Sequence, residues 1–162
     1  MSQSRPTGPS VWIGLIFWLA ITFTAAWIGS WFQPGEWYAG LVKPSWTPPG
    51  WLFGPVWTLL YIMMAVAAWL VWRCQAGQTA KRMALVAFVV QLALNAIWSW
   101  AFFAARSPGL GLVVIIGLLA AIIWTAMAFF RVSRPAGILM LPYLAWVAYA
   151  TTLNAGIFVM NS

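Results

Sequence analysis

The charged residues of this chain are spaced so that five long uncharged stretches lie between them. The charges are Arg5, Glu36, Lys43, Arg73, Lys81, Arg82, Arg106, Arg131 and Arg134. The stretches cover residues 6–35, 44–72, 83–105, 107–130 and 135–162, and most of their residues are apolar. Each stretch exceeds the roughly 20 residues that cross the hydrocarbon core of a bilayer as a helix. The pattern predicts an all-α integral membrane protein, a bundle of five transmembrane helices.

The composition supports a membrane protein rather than a soluble domain. Only 6% of the residues are charged and 64% are hydrophobic, whereas a soluble domain of ordinary composition has about a quarter charged residues. We expect one domain over residues 1–162, with short joints that make consecutive helices antiparallel neighbours. The predicted spans cover about 11–32, 50–72, 83–105, 110–130 and 136–159, and a proline- and tryptophan-rich loop covers 33–49.

The basic residues indicate an orientation in the membrane. Five spans put the two termini on opposite sides, and the N-terminal side then carries six basic residues against two on the other. The six are Arg5, Arg73, Lys81, Arg82, Arg131 and Arg134, and the two are Lys43 and Arg106. The positive-inside rule therefore predicts a cytoplasmic N-terminus. In a bacterium we expect the membrane to be the inner one, with the loop and the C-terminus facing the periplasm. Because the net charge of +7 lies in the joints, it indicates contacts with lipid headgroups and not with nucleic acid.

The residues missing from the sequence remove several classes of chemistry. The chain has no histidine, one cysteine (Cys74) and one acidic residue (Glu36), and no ionisable side chain of Asp, Glu, Lys or Arg falls inside a predicted span. Ion-coupled transport generally needs such residues at membrane depth. Metal sites and acid–base catalysis need the same side chains as ligands or proton carriers. We expect no catalytic residue, no metal site and no cofactor.

Aromatic and amide side chains recur at helical spacing on three predicted spans. Their spacing puts each set on one helix face: Trp57 and Tyr61 on the second span, Gln91, Asn95 and Trp98 on the third, and Tyr143 and Trp146 on the fifth. A pocket between these faces would suit a flat apolar ligand with a few polar edges. The alternative is packing alone, in which the amides bond between helices and the indoles fill the core. The residues by themselves leave both interpretations open.

The segment EWYAGLVKPSWTPPGWLFGPVWTLLY, from Glu36 to Tyr61, is more elaborate than a spacer between two helices. Pro44, Pro48 and Pro49 oppose helix and favour extended geometry in the residues before them. We therefore expect a stiff loop, lined by aromatic side chains, that covers the pocket between the spans.

Three motifs occur in order along the chain: KPSWTPPGW followed by GPVWTLLY, then QLALNAIWSWAFFAAR, then PYLAWVAYATTLN. Together they resemble the TspO/translocator-protein family, the tryptophan-rich sensory proteins. The resemblance implies a five-helix bundle that is often a homodimer and binds porphyrins or similar hydrophobic molecules among membrane lipids. It implies a receptor with a sensing, regulatory or stress-related role, with transport of the ligand as the alternative. The implied pocket residues are Trp37, Tyr38, Trp57, Asn95, Trp98 and Trp146.

Some members of that family promote light-dependent breakdown of protoporphyrin, a role that would fall here to Trp57 and Trp146. Animal members carry a C-terminal cholesterol motif ending in Tyr and Arg, whereas this chain ends in LNAGIFVMNS without a basic residue. On the helix-three face through which the family dimerises, this chain has Val86 and Val90 in place of small residues. The homodimer is therefore expected on weaker grounds than the ligand pocket.

The side chains available also bear on which tetrapyrrole would bind. Haem iron is usually held by His, Cys, Met or Tyr, and this chain has no His and only Cys74, at the far end of the second span from the loop. Met63 and Met64 lie near mid-membrane. A metal-free porphyrin needs only flat aromatic walls, a polar group and, for its carboxylates, a cation such as Lys43 or Arg106. We expect it to bind at least as tightly as haem.

Overall fold

The computed structural model describes residues 9–162, with side chains from residue 11 onward. Arg5, one of the six basic residues counted above, lies outside this range. The helices are α1 (Pro9–Ser30), α2 (Glu36–Ala39), α3 (Phe53–Arg73), α4 (Gln78–Ser99), α5 (Pro108–Val132) and α6 (Arg134–Met160). A 3₁₀ turn over Gly50–Leu52 leads into α3, and a π-helical turn over Trp100–Ala104 extends α4. The described part of the chain contains no strand.

Five of these helices are long and apolar enough to cross a membrane, which confirms the predicted fold class. α1 packs against α3 and α4, α3 packs against α6, and α5 lies between α4 and α6, so the helices close into a ring. The core side chains Met64, Phe88, Phe129, Met140 and Tyr143 are fully buried. Since one end of the bundle carries the loop over residues 33–49, we call it the loop end, and the opposite end, with Arg73 and Arg134, the basic end.

α4 begins earlier than the hydropathy predicts. The sequence indicates a polar turn up to Arg82, but α4 starts at Gln78, directly after Gly77 in an extended conformation (φ −54°, ψ 135°). Lys81 and Arg82 are therefore part of the helix. The difference arises because an apolar run indicates only the part of a helix that lies in the hydrocarbon core. The helix itself continues into the headgroup layer wherever its backbone hydrogen bonds can form.

The turn between α4 and α5 ends one helix and starts the next within a few residues. Ala105 donates its N–H to the carbonyl of Trp100 at 2.9 Å, which closes the π turn. Arg106 then takes a left-handed conformation, with φ of 51°, as residues that end helices often do. Ser107 caps α5 by accepting the N–H of Leu110 at 3.2 Å, and Pro108 occupies the first turn, where its missing N–H costs nothing.

Candidate functional site

A cavity of about 550 Å³ lies within the loop end of the bundle. Its walls come from α1, α3, α4 and α6, and its roof comes from the loop that begins after α1. Six of the residues predicted from the sequence line it: Tyr38, Trp57, Tyr61, Asn95, Trp98 and Trp146. The fold thus brings together side chains from four separate segments of the chain around one cavity.

Three predicted residues lie outside the cavity lining. Trp37 is half-buried and packs edge-on against Phe102, with ring centroids 5.8 Å apart. Gln91 is fully buried one turn below Asn95, and its Nε2 donates to the Sδ of Met64 at 3.8 Å. Tyr143 is also fully buried and lies behind Asn95. These three side chains support the wall and do not face the space.

The cavity has a hydrogen-bonded polar floor. The hydroxyl of Tyr61 donates to Oδ1 of Asn95 at 2.7 Å, and Nδ2 of Asn95 donates to the hydroxyl of Tyr143 at 3.0 Å. An asparagine amide carries two N–H donors, so one N–H of Asn95 remains for a ligand. The same pairing joins α3, α4 and α6, which means that Asn95 both packs the helices and lines the cavity.

Aromatic rings make up most of the wall. The rings of Trp57 and Tyr61 lie 5.6 Å apart and are tilted by 31°, and Phe53 meets Trp146 edge-on at 5.8 Å. Trp98 is fixed differently, because its Nε1–H donates to Oδ1 of Asn154 at 3.1 Å. Trp98 therefore offers a ligand its ring and not its N–H. Ring contacts of this kind favour flat ligands, with about 0.5–1.5 kcal/mol per ring pair beyond area burial.

Two polar atoms among the lining residues have no protein partner in the described chain. The indole Nε1 of Trp146 and the hydroxyl of Thr47 are both buried and unbonded. A buried polar group without a partner costs about 1–3 kcal/mol, so these two atoms are the least satisfied polar groups of the lining residues. Sequence analysis did not single out Thr47. Its only signal was a hydroxyl within the TPP segment of the loop.

The roof carries the one cation among the cavity residues. Nζ of Lys43 donates to the carbonyls of Ala39 and Leu41, at 3.2 Å each, and lies 4.7 Å from the centre of the Tyr38 ring. Burial raises the pKa of the Tyr38 phenol, so this group stays neutral. The cavity thus offers aromatic rings, amide and hydroxyl groups and one ammonium, which suits binding of a flat ligand rather than acid–base chemistry.

The roof is fastened at three points to α6 and to Asn161, the residue that directly follows it. Val42 donates its N–H to Oδ1 of Asn161 at 3.0 Å, and Nδ2 of Asn161 returns a bond to the Val42 carbonyl at 2.9 Å. The hydroxyl of Tyr149 donates to the carbonyl of Trp46 at 2.6 Å. Pro44 packs on Gly156, where an added Cβ would lie 2.5 Å from its Cγ. The sequence analysis missed this fastening, because none of the α6 residues involved belongs to a motif that points to the loop.

The fold and this cavity define an integral membrane protein with a roofed, aromatic cavity between its helices. The model of the TspO/MBR family matches residues 17–160. The chain belongs to that family, as its motifs indicated.

Three relatives are similar to this chain over most of their length. The chain is 47% identical over 130 residues to the tryptophan-rich protein TspO of Chlorobaculum tepidum, covering 80% of this chain and 82% of the relative. It is 47% identical over 131 residues to the human translocator protein, covering 78% of each. It is 37% identical over 144 residues to the tryptophan-rich sensory protein of Cereibacter sphaeroides, covering 88% of each.

Proposed function

We propose that this protein is a membrane receptor that binds a porphyrin-like tetrapyrrole in the loop-end cavity and has a sensing, regulatory or stress-related role. The observation that carries the proposal is the roofed cavity itself, which is lined mainly by aromatic side chains and has the hydrogen-bonded pair Tyr61 and Asn95 among its lining residues. The volume of about 550 Å³ falls within the roughly 300–1,000 Å³ of small-molecule sites. A sensing role also agrees with the name of the Cereibacter relative.

The polar groups of the cavity suggest how such a ligand would lie. A macrocycle would stack against Trp57 and Trp146, and its polar centre or edge would accept from Asn95. A carboxylate at its rim would meet Lys43 in the roof. Exposed ion pairs contribute about 0–1 kcal/mol, so the rings and the buried donors should dominate the affinity.

The same groups favour a metal-free porphyrin. No histidine occurs in the chain, and no methionine or cysteine is among the residues that line the cavity. The hydroxyl of Tyr61 already donates to Asn95, and the raised pKa of Tyr38 opposes the phenolate form that ligates iron. Free-base protoporphyrin should therefore bind at least as tightly as haem.

The test is a titration of the purified protein with free-base protoporphyrin and with haem, followed by tryptophan fluorescence and by the porphyrin absorption bands. We expect Trp57→Phe and Trp146→Phe to weaken binding more than Lys43→Ala does. Trp124→Phe is the matched control, because Trp124 is 44% exposed on α5, which contributes nothing to the cavity lining. Tenfold tighter binding of haem, with a spectrum of axial ligation, would overturn the preference for the free base. Binding that none of these variants changes would overturn the site.

Transport is the second candidate, because a similar protein is named translocator protein. The two functions differ in a measurable way: a receptor shows saturable binding in proteoliposomes without net ligand flux, and a transporter shows both. Light-dependent breakdown of the bound porphyrin would involve indole radicals or singlet oxygen, so Trp57→Phe and Trp146→Phe should reduce it.

We further propose that the protein is a homodimer in a bacterial inner membrane, with its N-terminus in the cytoplasm. The mass of the purified protein in detergent tests the homodimer. Labelling of single cysteines from either side of the membrane tests the orientation.

A further inference from the structure

Asn154 on α6 lies behind the wall of the loop-end cavity and joins three helices. Its side chain is 2% exposed and is not among the residues that line the cavity. Its Oδ1 accepts the indole N–H of Trp98 at 3.1 Å, and its Nδ2 donates to the carbonyl of Pro108 at 2.7 Å. Trp98 lies on α4 and lines the cavity, whereas Pro108 is the first residue of α5. One amide thus connects a ring of the wall to a helix that contributes nothing to the lining.

The amide of Asn154 fits between these two partners in one orientation. An indole N–H only donates, and a backbone carbonyl only accepts. Turning the amide over would place its NH₂ group against the N–H of Trp98 and its oxygen against the oxygen of Pro108. Each hydrogen bond therefore fixes the other, and together they hold the amide in place behind the Trp98 ring.

The backbone of α5 leaves room for this amide at Gly111. A Cβ added there would lie 3.0 Å from Oδ1 of Asn154 and 2.8 Å from Cδ2 of Phe102. Phe102 packs in turn against Trp98, with ring centroids 5.6 Å apart and planes tilted by 30°. The missing side chain at Gly111 therefore lets α5 approach both the amide that bonds to Trp98 and the ring that packs beside it.

The bond to Asn154 is the one hydrogen bond that can fix the Trp98 ring, because an indole has a single N–H. The ring contacts of Trp98 with Phe102 and Phe103 restrain it with less directional preference. A side chain that moves freely before binding must be immobilised by the ligand, and this immobilisation lowers the affinity. Loss of the Asn154 amide should therefore weaken binding even though the amide lies outside the cavity.

We propose that Asn154 is a positioning residue of the loop-end cavity, which holds the Trp98 ring in the orientation that a bound ligand contacts. The inference rests on the proposed binding of a porphyrin-like ligand in this cavity. It adds that α5 helps to determine the shape of the cavity through the hydrogen bond between Asn154 and Pro108. A ring fixed in advance favours a rigid, flat ligand, because the ligand need not immobilise it.

The first part of the test measures Trp98 in the full-length protein without ligand. The indole N–H signal of Trp98 is assigned in NMR spectra as the signal that Trp98→Phe removes. We expect this proton to exchange slowly with deuterium, and about tenfold faster in Asn154→Leu, since a broken hydrogen bond exposes it to exchange. Thr151→Val is the matched control one turn earlier on α6, because the Thr151 hydroxyl bonds to the carbonyl of Val147 within the same helix. It should leave the exchange rate unchanged.

The second part is a titration with free-base protoporphyrin, followed by its absorption bands, in a double-mutant cycle. Asn154→Leu should lower the affinity about three- to tenfold. In the Trp98→Phe background, which has no N–H to hold, the same substitution should change the affinity less than about twofold. Asn154→Asp should keep most of the affinity, because a protonated carboxyl group accepts from Trp98 with one oxygen and donates to Pro108 with the other. A residue that only stabilises the fold would show neither the coupling nor the rescue.

Two results would overturn the inference and leave the proposed function intact. They are rapid exchange of the Trp98 N–H in the unmodified protein, and equal losses of affinity from Asn154→Leu in the two backgrounds. Absence of porphyrin binding to the unmodified protein would instead overturn the proposed function, and this inference with it. Circular dichroism checks the fold of each variant. If Asn154→Leu does not fold, Asn154→Ala replaces it, since the smaller side chain leaves space for water at the Pro108 carbonyl.

Discussion

At the level of single residues, Asn95 has two roles that its neighbours in the sequence do not share. Its amide joins the hydroxyls of Tyr61 and Tyr143, which are both buried, and it also lines the loop-end cavity. Gln91, one turn away on the same helix, makes a long contact to the sulfur of Met64 and leaves its Oε1 without a partner in the described chain. Two buried amides that look alike in the sequence thus differ in what their loss would cost.

We predict that Asn95→Leu destabilises the protein and weakens ligand binding. The substitution removes a partner from each of two buried hydroxyls, and an unsatisfied group costs about 1–3 kcal/mol. Gln91→Leu is the control on the same helix, and it should be neutral or stabilising, since it removes a carbonyl that is already unpartnered. Thermal unfolding in detergent measures both. Equal destabilisation by the two substitutions would contradict the role given to Asn95.

A second prediction concerns Thr47, whose hydroxyl has no partner in the described structure. Thr47→Val keeps the shape of the side chain and removes the hydroxyl, so it should leave the melting temperature nearly unchanged. If a bound ligand satisfies that hydroxyl, its affinity should fall by about 0.5–1.5 kcal/mol. The titration described above measures the change. An unchanged affinity would show that the ligand does not reach Thr47.

The sequence could predict the residues of the cavity only where helical periodicity places side chains on one face of a helix. The stripe of Gln91, Asn95 and Trp98 follows from spacing, but spacing cannot say that Gln91 lies beneath the cavity floor while Asn95 is part of it. That difference depends on where α3 and α6 cross α4. Trp37 illustrates the same limit, because its ring turns toward Phe102 within a loop whose path no periodicity describes.

At the level of elements, the loop over residues 33–49 depends on α6 for its position. The contacts of Asn161 with Val42 and of Tyr149 with Trp46 join segments more than 100 residues apart. Local motifs predicted a stiff loop because proline acts on its immediate neighbours. Local motifs could not predict that the loop is held by Tyr149 and Asn161. They also did not predict the π turn after α4, which depends on the backbone hydrogen bond from Ala105 to Trp100.

We predict that Asn161→Ala loosens the roof without unfolding the bundle. The substitution removes both bonds to the Val42 backbone, and each such bond contributes about 0.5–1.5 kcal/mol. Ligand dissociation, measured by stopped-flow fluorescence, should become several-fold faster. Ser162→Ala is the control, because the Ser162 hydroxyl bonds within the chain end to the carbonyl of Phe158. Similar dissociation rates in the two variants would show that the roof does not hold the ligand.

At the level of the whole molecule, the distribution of basic residues predicts the orientation in the membrane. Within residues 9–162, five basic side chains lie at one end of the bundle and two, Lys43 and Arg106, at the other. In a Cys74→Ser background we expect Gly35→Cys to react with an impermeant maleimide on intact cells. Gly77→Cys should react only after permeabilisation. An added Cβ meets no atom within 4 Å at either glycine. The reverse labelling pattern would invert the topology.

The fastening of the roof to α6 also has a consequence for biosynthesis. Val42 is synthesised 119 residues before Asn161, and at roughly 5–20 residues per second this separation lasts about 6–24 s. Throughout that interval Val42 has been synthesised, but Asn161, which holds it in place, has not. The indoles that later form the cavity wall therefore meet lipid and insertion machinery before they meet each other.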